Sequence, residues 1–185
     1  MKLHIDSASG LIAGAQQRPS PNCDDRPTGS RLDLIVIHGI SLPPGQFGGS
    51  WIDALFTNTL DPKAHPYFQD IHHLRVSAHA LIRRDGELVQ YVPLHKRAWH
   101  AGTSCHAGRT NCNDFTVGIE LEGSDEQSYE PIQYHVLAQL ITALRAAYAS
   151  LQHAPLVGHS DIAPGRKTDP GPHFDWRHLH ALLAS

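Results

Sequence analysis

The sequence predicts a single α/β domain of mixed layers, and three stretches carry that expectation. Leu32 to Ile40 contains the apolar run Leu34-Ile35-Val36-Ile37, too short and too β-branched for a helix, and reads as a buried strand. Phe115 to Glu122 alternates, with Val117, Ile119 and Leu121 on one face and Gly118, Glu120 and Glu122 on the other. From Pro131, a favourable first helical residue, Ile132, Val136, Leu137, Leu140, Ile141, Leu144, Tyr148 and Leu151 recur at helical spacing and mark the longest helix. Strands and helices interleaved in this order define an α/β architecture. With 185 residues, 41% of them hydrophobic and 18% charged, one domain with a sizeable core is expected over residues 1–185.

The other elements follow in chain order. Residues 1–31 read as an N-terminal arm packed on the domain, Pro-, Arg- and polar-rich from residue 11 onward (Arg18-Pro19-Ser20-Pro21, Arg26-Pro27-Thr28-Gly29). Ser41 to Gly49 is a loop and Trp51 to Leu60 a short helix, followed by an irregular stretch from His65 to His73. Val76–Ile82 and Glu87–Val92 pair as a hairpin around Asp85-Gly86. Lys96 to Asn113 is loop-like. Near the C-terminus, Asp175 caps a last helix carrying Trp176, Leu179, Leu182 and Leu183.

Composition narrows the function classes. A formal net charge of -3 argues against a nucleic-acid or polybasic membrane partner. No run approaches the roughly 20 apolar residues of a membrane span, and Met1 to Gly10 carries His4 and Asp6 without the apolar core of a signal peptide. Cys23, Cys105 and Cys112 are an odd number for a disulfide framework, so a reducing, cytoplasmic setting is expected. A monomer is the default expectation.

The chemistry centres on Leu156 to Pro172. His159 follows a short apolar run, and a Pro/Gly-punctuated loop then presents Lys167 and Asp169. Imidazole and carboxylate are both zinc ligands, and a catalytic zinc usually takes three protein ligands plus a water. Of the chain's 15 histidines, His38 is the best third ligand, because it closes the Leu34–Ile37 run. Cys105 and Cys112 with His100 and His106 do not match the common spacing of a structural zinc knot.

Eight motifs run through the chain: Val-Ile-His at 36–38, Ser-Leu-Pro-Pro-Gly at 41–45, Arg-Val-Ser-Ala-His at 75–79 and Ala-Trp-His-Ala-Gly at 98–102. Cys-Asn-Asp-Phe at 112–115, Gly-Ile-Glu-Leu-Glu-Gly at 118–123, Gly-His-Ser-Asp-Ile-Ala-Pro at 158–164 and Arg-Lys-Thr-Asp-Pro-Gly at 166–171 complete the set. Together they resemble the AmpD amidases, a branch of the type-2 N-acetylmuramoyl-L-alanine amidases and relatives of the peptidoglycan recognition proteins. The match keeps its order along nearly the whole chain.

The resemblance implies a central mixed β-sheet flanked by α-helices. It also implies a zinc-dependent cytoplasmic enzyme that cuts the amide between the lactyl group of 1,6-anhydro-N-acetylmuramic acid and L-alanine during peptidoglycan recycling. One zinc would be held by His38, His159 and Asp169, with Glu120 and Lys167 doing the chemistry. Glu120 sits mid-strand, where a charge needs a reason. Glu122 shares its face, so spacing does not choose between them and the family match selects Glu120. Lys167 can place its ammonium beside an oxyanion. Arg75 and Arg166 are candidates for holding peptide carboxylates, and Trp99 for stacking on the sugar or filling the core. His79 and His100 fit either a supporting or a structural role. Gly39 departs from the Asn that close family members commonly carry after the first ligand. The rival readings are an amidase acting on intact peptidoglycan and a non-catalytic muropeptide-binding module. A zinc peptidase would need a His-Glu-x-x-His helix, which is missing.

Overall fold

Parallel strands covered on both faces are apolar throughout, and Leu34–Ile40 is such a strand: Leu34, Ile35, Val36 and Ile37 are all buried. In the computed structural model, which describes residues 3–184, it lies near the centre of a six-stranded sheet. Leu156–Gly158 runs parallel on one side of it and Thr116–Glu122 parallel on the other. Beyond Thr116–Glu122 come Ala80–Ile82, parallel, then Leu88–Gln90, antiparallel, and Gln16–Gln17 at the edge. The sheet is therefore mixed, with its antiparallel step at the Asp85-Gly86 hairpin.

Side-chain alternation divides the core into layers. Ile35, Ile37, Val117, Ile119 and Leu121 pack against the long helix Pro131–Ala147 through Leu137, Leu140, Ile141 and Leu144. These four helical residues repeat at i, i+3, i+4 and i+7, the spacing of one helix face. The last helix, Trp176–Ala184, joins this layer through Leu179 and starts where expected, with the His178 amide donating to Asp175 Oδ1 at 2.9 Å. On the opposite face Leu81 and Val89 meet Ile52, Leu55, Phe56 and Phe68, which come from the short helices Trp51–Phe56 and Phe68–Ile71.

Some expectations need correction. Ile132 is 44% exposed and rests on the Gly86 turn instead of entering the core. The first helix stops at Phe56, with Asn58 at φ 61° turning the chain. The stretch expected to be irregular between His65 and His73 holds the Phe68–Ile71 turn of helix. Within Lys96–Asn113, Lys96–Ala98 pairs antiparallel with Cys23–Asp25 of the N-terminal arm, and Cys105–His106 pairs with Arg109–Thr110. The first of these pairings joins segments distant in the chain, so neither carries a periodic trace of it. The arm thus contributes backbone to the fold: Gln16–Gln17 completes the sheet edge and Arg18 joins Arg83 and Tyr91 around the buried Asp53.

Gln133 ties helix to sheet. It is fully buried, its Oε1 accepts the Glu130 amide at 2.9 Å, and its Nε2 donates to the carbonyls of Ile82 (3.1 Å) and Glu122 (3.0 Å). Gln133→Leu keeps the bulk but strips the donors from two strand-end carbonyls. We expect a loss of about 2–4 kcal/mol, read as a lower urea midpoint with an unchanged m-value.

Candidate active site

The register of the parallel strands builds the site. Glu120 is the direct partner of His38, and partners on parallel strands share a sheet face. Gly158 pairs with Ile37, so the chain leaves the sheet with His159 level with His38 and enters the short helix His159–Ile162. Asp169 is carried back on a loop whose carbonyl at Asp169 accepts the Ser160 amide at 3.0 Å.

Three ligand-type atoms converge as a result. His38 Nδ1 lies 3.0 Å from His159 Nδ1 and 3.1 Å from Asp169 Oδ2, and His159 Nδ1 is 3.1 Å from the same oxygen. The outer ring nitrogens are engaged elsewhere. His159 Nε2 lies 3.1 Å from the Ala101 carbonyl, which can only accept, so the ring proton belongs on Nε2. His38 Nε2 lies 2.9 Å from His100 Nδ1, and burial pulls the His38 pKa down to about 4, so the ring is neutral. With its proton assigned to Nε2, two imidazole lone pairs and a carboxylate face one another without a hydrogen between them. That arrangement is repulsive as it stands and becomes attractive around a cation, so the donor set fits a metal ion. Outward N–H groups held by a fixed acceptor are the usual support of metal-binding histidines.

Support for the two rings comes from below. His100 packs edge-on to His38, with ring centroids 5.0 Å apart, and its Nε2 meets Thr116 Oγ at 2.9 Å. It occupies the space over Gly118, where a Cβ would fall closer than 3.0 Å to three ring atoms. Beneath it, His79 Nδ1 accepts the Gly118 amide at 3.0 Å, and its Nε2 donates to the Lys96 carbonyl at 3.1 Å. Burial keeps both rings neutral, pushing His79 down to about 3 and His100 well below the usual histidine range. The signal for this column was Gly118, a glycine inside a strand, which marks close approach of another group.

The two strand carboxylates part company here. Glu122 is committed: Oε1 accepts the Gly48 amide at 2.6 Å and Oε2 the Arg84 amide at 3.2 Å. Glu120 is 8% exposed, and its buried Oε2 has no hydrogen-bond partner among the described residues. Burial lifts its pKa well above the ordinary carboxylate value, the nearby Asp169 charge adds to the rise, and Lys167 opposes it. Such a group can take and return a proton.

His38, His159, Asp169, Glu120, Lys167 and Arg166 line one cleft of about 690 Å³, within the range of small-molecule sites. Arg166 uses Nη2 to hold the carbonyls of Ala101 (2.6 Å) and Thr103 (2.7 Å). Trp99 and Arg75 lie outside the lining. The Trp99 indole donates to Asp24 at 3.2 Å, because the Cys23–Asp25 strand pairs beside it, and Arg75 folds back onto the carbonyls of His72, His73 and Leu74. The rest of the lining includes Leu42, Tyr67, Leu74 and Val76, together with the Ser124–Gln127 turn. Of these, Tyr67 comes from the stretch read as irregular, which offered no signal of it.

A mixed sheet that carries converging metal-type ligands and an unpaired buried carboxylate at the C-terminal ends of its parallel strands defines an α/β protein with a candidate metal centre. The chain belongs to the N-acetylmuramoyl-L-alanine amidase family, whose model matches residues 28–172, and it is an amidase. It is 59% identical over 174 residues to the 1,6-anhydro-N-acetylmuramyl-L-alanine amidase AmpD of Citrobacter freundii, covering 94% of this chain and 92% of that one. A crystal structure of a Se-Met AmpD derivative superposes with a TM-score of 0.93 at 57% identity, over 97% of this chain and 98% of that one. AmpDh3 from Pseudomonas aeruginosa, in complex with anhydromuramic pentapeptide, superposes with a TM-score of 0.63 at 30% identity, over 84% and 61%.

The raised Glu120 pKa makes stability depend on pH in a stated direction. The folded protein keeps this proton above pH 4.5, where the unfolded chain has released it, so the group's contribution to stability falls as pH rises from there. Gln at this position removes the effect while imitating the protonated form. In urea titrations of chelator-treated protein, Glu120→Gln should be more stable than the parent at pH 8, with the gap closing as pH falls toward 4.5. A gap independent of pH would contradict the assignment.

Proposed function

We propose that this chain hydrolyses the amide between the lactyl group of 1,6-anhydro-N-acetylmuramic acid and the L-alanine of its stem peptide, using one zinc ion held by His38, His159 and Asp169. Its setting is the cytoplasmic recycling of soluble anhydromuropeptides. The observation that carries this reading is the convergence of Nδ1, Nδ1 and Oδ2 beside the unpaired Oε2 of Glu120. Further support comes from the near-full-length similarity to an amidase named for that substrate and from the anhydromuramic pentapeptide bound by a more distant relative.

Bound there, zinc would polarise the scissile carbonyl and lower the pKa of the attacking water from 15.7 toward ~7. Glu120 accepts a proton from that water as its oxygen bonds to the carbonyl carbon, then delivers it to the alanine nitrogen as the C–N bond breaks. The Lys167 ammonium offsets the charge developing on the carbonyl oxygen, an effect typically worth ~3 kcal/mol. Arg166 fixes the Ala101–Thr103 loop against the ligand loop, and Ala101 in turn orients His159. The wall of Leu42, Tyr67 and Val76 supplies the apolar surface for the sugar that Trp99 does not.

Separating metal from chemistry tests the roles. Asp169→Ala should lose zinc and activity together, whereas Glu120→Gln should keep one zinc per chain by elemental analysis while kcat falls roughly 10²-fold or more. Stoichiometric zinc in Asp169→Ala would remove that residue from the ligand set.

Substrate preference is tested by comparing kcat/KM on anhydromuramyl tri- and tetrapeptides with stem-peptide release from purified sacculi. The soluble monomer should be strongly preferred. Equal release from sacculi would overturn the recycling role and leave the amidase chemistry standing.

A further inference from the structure

Tyr129 is not among the residues lining the cleft, yet it packs where the chain runs past the site residues. Gly39 follows His38, Gly123 follows the strand that carries Glu120, and Pro170 follows Asp169. The Tyr129 hydroxyl donates to the Pro170 carbonyl at 2.8 Å. A Cβ on Gly39 would fall closer than 3.0 Å to the Tyr129 oxygen, and one on Gly123 closer than 3.0 Å to its ring carbons. The ring is 4% exposed and leans on Phe174, with centroids 5.4 Å apart, so it cannot withdraw without opening the core. Burial raises the phenol pKa far above its usual value, which keeps the hydroxyl a donor.

We propose that Tyr129 is a positioning residue for the metal centre: its hydroxyl pins the Pro170 carbonyl and so holds Asp169 Oδ2 against His38 and His159, and Gly39 provides the space for that hydroxyl. The inference rests on the zinc reading above. It differs from simple core filling in one respect. Packing is a property of the ring, while the pinning and the clash with residue 39 belong to the oxygen alone. The imagined Cβ at Gly39 is 3.5 Å from Tyr129 Cζ, an ordinary contact, so removing the oxygen should relieve the conflict.

The test is a double-mutant cycle read by zinc affinity, with a chromophoric chelator as competitor and the visible spectrum of the cobalt-substituted protein as a second readout. Tyr129→Phe keeps the ring and should weaken zinc binding about ten-fold or more, in the range typical when a group supporting a ligand is lost. It should also perturb the cobalt bands. Gly39→Ala should weaken binding by at least about ten-fold in the parent and less than about two-fold in the Tyr129→Phe background. Thermal melts of the metal-free proteins verify that each variant is folded. A parent protein that takes up no zinc would overturn the metal reading, and this inference with it. Normal zinc uptake by the parent, with Tyr129→Phe matching it in affinity and spectrum, would overturn the inference alone. Equal costs of Gly39→Ala in both backgrounds would likewise show that the hydroxyl and residue 39 are not coupled.

Discussion

The site depends on the register between Leu34–Ile40 and Thr116–Glu122. Seven consecutive Cα partners pair the two strands, and the pair that matters is His38 with Glu120. A slip of one residue would turn the His38 imidazole into the apolar layer under the long helix and point Glu120 away from it. The slip is resisted by the burial of neighbours on both faces, Ile35 and Ile37 toward the long helix, Leu34 and Val36 toward the opposite side. Hydrophobic packing along the strands thus fixes the position of a polar group at their ends.

Those polar groups are held at a cost that the surrounding structure absorbs. Burying an imidazole or a carboxyl is unfavourable unless each polar atom finds a partner. The column of His38, His100 and His79 meets that demand through Thr116, the Gly118 amide and the Lys96 carbonyl. Around the cleft, satisfaction fails among the described residues at the inward atoms of His38, His159 and Asp169 and at Oε2 of Glu120. Buried polar atoms left open in an otherwise complete network are where function is expected.

The walls of the cleft come from separate parts of the chain, each tied down independently. Glu122 anchors the loop after Ser41 through the Gly48 amide. Arg166 closes the ligand loop onto Ala101 and Thr103. Asp24 and Asp114 grip Arg97, and Asp24 also takes the indole of Trp99, which ties that aromatic ring to the scaffold. A side chain's chemistry makes it eligible for a role, and neighbours from remote sequence decide whether it is free to play it.

By itself, the sequence determined whatever is written in local pattern or in the chemistry of a residue type. The apolar run before His38, the alternation around Glu120, the helical spacing after Pro131 and the cap at Asp175 each reflect a period or a turn preference that operates within a few residues. His159 and Asp169 stood out for the same reason, as ligand types in a stiff Pro/Gly loop. Only the tertiary structure gives Glu120 and Glu122 different surroundings, because they share a strand face but differ in which remote amides reach them. It also placed His100 over Gly118, paired Cys23–Asp25 with Lys96–Ala98, and turned Trp99 toward Asp24 and Arg75 toward the carbonyls of its own loop. Apart from the local turn of Arg75, all of these depend on contacts between segments distant in the chain, and such contacts are set by how the layers pack.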